Sequence, residues 1–126
     1  MDKKIRPKSL PSITRKAKIE CGTLYITLGF EGDKPFECFI RLGKIGSCGA
    51  AMMGSIGKII GITLNNNGES LDDVIESLEH TRCTSPSIDD GEMYSSCCDA
   101  IAKCLREMME SYKKSLKERD IKSESI

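Results

Sequence analysis

A chain of 126 residues with 39% hydrophobic content and no Trp has room for one domain, with a modest core drawn from Ile, Leu, Met and Cys. No apolar run reaches membrane-spanning length, the charged N-terminus lacks the apolar stretch of a signal peptide, and formal net charge is zero, so a membrane protein and a nucleic-acid coat are both disfavoured. A cytoplasmic protein is expected, and in that reducing setting seven cysteines, an odd number, argue against a disulfide framework.

Residues 1–14 carry two prolines and no periodicity, which predicts a basic flexible arm. Residues 1–18 hold seven basic side chains against Asp2, whereas residues 69–79 hold five acids and no base. This asymmetry suits contacts between chains or a basic arm touching an anion. A strand pattern begins near Lys16. Leu24, Ile26, Leu28 and Phe30 then alternate with Tyr25, Thr27 and Gly29, and the turn Glu31–Pro35 leads to a second alternating run. There Phe36, Cys38, Ile40 and Leu42 share one face, with Glu37, Phe39 and Arg41 on the other. Together they predict a β-hairpin with one strongly apolar face.

Gly43-Lys44-Ile45-Gly46-Ser47 breaks the strand and opens a helix over about 47–64, with Met52, Met53, Ile56, Ile59, Ile60 and Leu64 as its inward stripe. Gly54, Gly57 and Gly61 each cost up to about 1 kcal/mol in a helix interior, so close packing on another backbone is expected in compensation. Asn65–Gly68 ends this helix. Ser70 caps the next, with Leu71, Val74, Ile75 and Leu78 inward and an end near His80. Residues 81–94 read as a loop. The last helix starts at the N-cap Ser96, with Asp99 three residues on, and turns Ile101, Leu105, Met108, Tyr112 and Leu116 to the core. The division is an arm at 1–14, one domain at 15–117 and a polar, frayed tail at 118–126. The fold class is α+β: a small antiparallel sheet packed by about three helices, completed by self-association into a homodimer or higher oligomer.

Four blocks in this order carry a family likeness: Arg6-Pro7, Gly22–Thr27, Pro35–Lys44 and Ser95–Leu105. The chain resembles the TSCPD domain, found near the C-terminus of cobalamin-dependent ribonucleotide reductases and as small independent proteins. The namesake Thr-Ser-Cys-Pro-Asp string reads Ser95-Ser96-Cys97-Cys98-Asp99 here, with Ser for Thr and Cys for Pro. The resemblance implies metal binding through cysteines, which gives Cys97 a metal or redox role and adds Cys21, Cys48 and Cys83. It also implies a ribonucleotide reductase as a possible partner. These 126 residues carry no Cys-x-x-Cys pair like the reductase's and are too few for its barrel, so an accessory role rather than the reductase itself is expected.

Three candidate sites follow. The first is a zinc site on Cys21, Cys48, Cys83 and Cys97, with Cys98 or His80 as substitutes; buried structural thiols are the competing reading. The second is an anion site at the start of the first long helix, where Arg41, Lys44, Gly46, Ser47 and Gly49 offer cations, a hydroxyl and backbone donors to the phosphate of a nucleotide. The competing reading is a plain glycine turn. The third is a thiol-dependent redox role for Cys97 or Cys98 at a helix N-terminus, where a thiolate is favoured. No base is placed beside them by the sequence, and no catalytic residue is assigned. The leading expectation is a non-enzymatic nucleotide- or metal-binding accessory or regulatory module; the alternative is a homo-oligomeric trap that sequesters a nucleotide-derived signal.

Overall fold

A computed structural model describes residues 6–19, 22–43, 48–67, 70–82 and 86–124, apart from the side chains of Cys48 and of 119–124. Its central sheet has three antiparallel strands, β1 (Ser12–Ile19), β2 (Gly22–Glu31) and β3 (Lys34–Leu42), in that spatial order. Leu24, Ile26, Leu28 and Phe30 of β2 are buried with Phe36, Cys38, Ile40 and Leu42 of β3, as the alternation predicts. Each large aliphatic or aromatic group so buried contributes about 1.5–3 kcal/mol.

The hairpin thus gains a third strand that the sequence reading placed partly in a flexible arm. In β1 the inward row is Ile13, Arg15, Ala17 and Ile19, and only Ala17 is fully buried. Arg15 is tolerated there because Glu107 pairs with it and Glu92 stands 3.9 Å away. The register sets Lys16 opposite Tyr25 and Tyr25 opposite Arg41; one row along, Thr14 faces Thr27 and Thr27 faces Phe39.

Helix α1 (Cys48–Asn66) lies against β3. Of the expected inward stripe, Met53, Ile60 and Leu64 are buried together with Gly57 and Ile56 is partly buried, whereas Met52 and Ile59 are each 63% exposed. The contact with β3 turns the helix. A Cβ at Gly57 would meet the Ile40 backbone nitrogen at 2.8 Å, and one at Gly61 would lie 3.7 Å from the Cys38 nitrogen and oxygen. Two of the three glycines therefore do provide the expected backbone approach, whereas a Cβ at Gly54 would meet nothing within 4 Å.

Helix α2 (Leu71–Leu78) buries Leu71 and Ile75. Ser70 is itself helical and makes no side-chain cap bond, so the expected cap there is absent. The segment read as a loop holds a second small hairpin, β4 (Ser87–Asp89) and β5 (Glu92–Tyr94). Its two-residue turn has φ of 53° at Asp90 and 83° at Gly91, the left-handed pair of a type I′ turn. Helix α3 (Cys97–Glu124) buries Ile101, Leu105, Met108 and Tyr112. It runs seven residues beyond the point where a frayed tail was expected to begin. The Tyr112 ring stacks on Phe30 with centroids 3.6 Å apart, and its hydroxyl donates to the Gly32 carbonyl at 2.6 Å. Among the described residues no helix is long and apolar enough to cross a membrane.

Candidate functional site

The Ser95–Asp99 string forms the entrance to α3. Ser96 caps it: its hydroxyl accepts the Asp99 N–H at 3.1 Å, and its carbonyl accepts the Ala100 N–H at 3.0 Å. Asp99 does more than a first-turn carboxylate usually does. Fully buried, it accepts the backbone N–H of Ser95 and of His80, each at 2.8 Å, and pairs with Lys103 at 3.0 Å. Burial alone would push this carboxyl up, but the Ser95 and His80 donors and the Lys103 ammonium outweigh it and hold the group below its ordinary range. The namesake aspartate therefore ties the exit of α2 to the entrance of α3.

This bond clarifies His80. Its backbone, at φ 63°, is what the site uses, while its imidazole is exposed and lies 3.8 Å from Glu79. Cys97 and Cys98 carry thiols and are half-buried in the first turn of α3. Of the other proposed zinc ligands, Cys21 and Cys83 lie outside the described residues and Cys48 is described by its backbone alone. Among the described residues no group of three His, Cys, Asp or Glu side chains could hold a metal. Two further thiols belong to the core: burial pushes Cys38 up to about 12 and Cys104 up to about 11. Both stay protonated at neutral pH and are poor nucleophiles.

The anion site is described at its two ends. Arg41 stands on the open face of the sheet, its guanidinium carbon 4.8 Å from the centroid of the Tyr25 ring. Gly49 lies in the first turn of α1, while Lys44, Gly46 and Ser47 fall outside the described residues. Strand alternation alone put Arg41 on one face with Phe39 and Tyr25. It could not add Lys16, because that neighbour arrives through β1, the strand missed in part. On this face Glu37 is neutralised by a two-pronged bond from Arg6, at 2.8 and 3.0 Å. Among the described residues no carboxylate pairs with Lys16, Arg41 or Lys58. The face is therefore cationic with aromatic rings between its charges, a surface suited to phosphate and to flat rings.

A family model described as the TSCPD domain matches residues 2–109, most of the chain. No curated protein and no solved structure matches it.

Proposed function

The chain belongs to the TSCPD domain family, and from that premise we propose that it is a non-enzymatic accessory or regulatory module that binds a nucleotide-type ligand where β3 leads into α1. The observation that carries this reading is the Arg41–Tyr25 pair on the open sheet face, at the strand end that precedes the glycine-rich 43–49 segment. A guanidinium held over a ring is pre-oriented, so less rotamer entropy is lost when it meets phosphate. The binding partners in this reading are the nucleotide and, in its cellular role, a ribonucleotide reductase. Calorimetric titration with ribo- and deoxynucleoside phosphates and cyclic dinucleotides tests it. Saturable binding that Arg41→Ala weakens, with ligand recovered unchanged after denaturation, is expected; no binding at millimolar ligand, or a converted ligand, overturns it.

A second reading, a homo-oligomeric trap, is favoured by the outer face of α1. Met52, Ile59 and Ile62 stand exposed on a 19-residue helix whose single charged side chain is Lys58. Such a face is costly to leave in water. Light scattering on the native protein and on Ile59→Asp tests it, with assembly expected only in the former. The zinc reading, on Cys21, Cys48, Cys83 and Cys97, is tested by elemental analysis of anaerobically purified protein.

A further inference from the structure

Phe39 is the large apolar side chain that the sheet holds out to solvent, 58% exposed at the centre of β3. Across the strands it faces Thr27, whose hydroxyl is bonded to that of Thr14 at 2.8 Å, so the surface beside the ring is flat and already hydrogen-bonded. Arg41 follows two residues along the same face, about 7 Å away by strand rise. On the other side the ring borders a cleft of about 410 Å³ between β3 and the C-terminal half of α1, walled by Ile62 and Gly61 and edged by Lys58, Asn66 and Arg6. That volume lies at the lower end of the range that holds small organic ligands, roughly 300–1,000 Å³. An exposed ring beside a cleft walled by Ile62 and Gly61, with no acidic partner on Arg41 or Lys58 among the described residues and with Glu37 at the rim already paired to Arg6, is complementary to a planar ring carrying negative charge.

We propose that Phe39 is the stacking surface for the base of a nucleotide, which enters the cleft between β3 and α1 while its phosphate meets Arg41 and Lys58. This rests on the nucleotide-binding reading and adds where the base lies. A base on an exposed aromatic supplies sequence-tolerant affinity, because every base has a π-face. The chemistry is shared by free nucleotides and by single-stranded nucleic acid, and the neutral net charge of the chain favours the free nucleotide.

The absence of Trp from the chain allows a direct test. Phe39→Trp places the only indole of the protein at the stacking position, and nucleoside monophosphates are expected to quench its emission with the affinity that calorimetry reports. Phe39→Leu keeps the apolar bulk without the ring and is expected to weaken nucleotide binding roughly tenfold, within the range of base–aromatic stacking, with an unchanged melting temperature. Ribose 5-phosphate, which has no base, is expected to bind Phe39→Leu and the native protein alike. A short single-stranded DNA added in parallel separates the sources: free nucleotide is the ligand where the monophosphate binds at least as well per site. Unquenched Phe39→Trp with nucleotide binding intact, or equal nucleotide affinity in Phe39→Leu and the native protein, overturns the stacking proposal and leaves the Arg41 reading standing. Failure of every nucleotide to bind the native protein overturns both.

Discussion

Replacing Gly57 or Gly54 by Ala makes the same chemical change in the same helix with opposite expected results. Both variants gain the helix propensity of Ala over Gly, about 1 kcal/mol. At Gly54 nothing lies within 4 Å of the added carbon, so that gain is realised and the protein is stabilised by up to about 1 kcal/mol. At Gly57 the added carbon would stand 2.8 Å from the Ile40 nitrogen and 3.3 Å from its Cβ, against ordinary contacts of 3.4 Å and beyond. Backbone cannot rotate away as a side chain can, so α1 must lift from β3 by about half an ångström. Overpacking of this kind costs about 1–3 kcal/mol. Since propensity cancels between the variants, the difference in their unfolding free energies isolates the clash at about 1–3 kcal/mol. Urea unfolding followed by far-UV circular dichroism measures it, with Gly61→Ala, in ordinary contact at 3.7 Å, behaving as Gly54→Ala does. Equal midpoints for Gly54→Ala and Gly57→Ala would refute the close approach of α1 to β3.

Asp99→Asn removes the charge that three donors share and turns an amide N–H₂ toward them; a loss of about 2–4 kcal/mol in urea unfolding is expected. Because the carboxyl is held below its ordinary range in the folded state, its contribution is fully present above the unfolded value near pH 4 and fades as pH falls through the folded one. The acid limb of the stability curve should therefore flatten in Asp99→Asn, and an unchanged limb would count against the buried bonds. In a brief iodoacetamide pulse at pH 8, mapped by mass spectrometry, Cys97 and Cys98 should label before Cys38 and Cys104, whose burial keeps them protonated. Tyr112→Phe keeps the stack on Phe30 and loses one bond to Gly32, for about 1 kcal/mol, whereas Tyr112→Ala should cost about 3–5 kcal/mol.

The strands β2 and β3 and the cap at Ser96 were legible because each leaves a local mark: a two-residue alternation, or a hydroxyl three residues before the N–H it accepts. What escaped depended on distant partners. The inward row of β1 contains Arg15, which reads as surface until Glu107, 92 positions away, is seen beside it. Helix α1 was legible as a helix with its inward stripe drawn too wide, taking in Met52 and Ile59, since apolar residues occupy most of its circumference and the contact that orients it is made by Gly57, which has no side chain to register in a hydrophobic pattern. The Asp90-Gly91 turn was a local signal, and its two flanking strands of three residues are too short to alternate visibly. At the candidate site, Arg41 could be placed beside Tyr25 by counting, but the cationic row needed β1. The bond from His80 to Asp99 spans 19 positions and had no sequence mark at all.

The glycine contact has a consequence for how copies of this chain can meet. Gly43 donates to Thr23, which fixes the phase of the β2–β3 ladder, so the N–H groups of Cys38 and Ile40 point away from β2 and toward α1. A helix backbone thus lies where another strand would dock. At the opposite margin the outward N–H of Lys18 is taken by the Asp89 carboxylate at 2.8 Å, beside the side chains of Lys16 and Lys18. The β3 margin is thus closed to sheet extension, and the β1 margin is blunted at Lys18 by a carboxylate and two lysines, devices that discourage the pairing of exposed strands. A second copy that approaches the β3 side of the sheet must therefore engage it through side chains, a chemistry that point substitutions can tune.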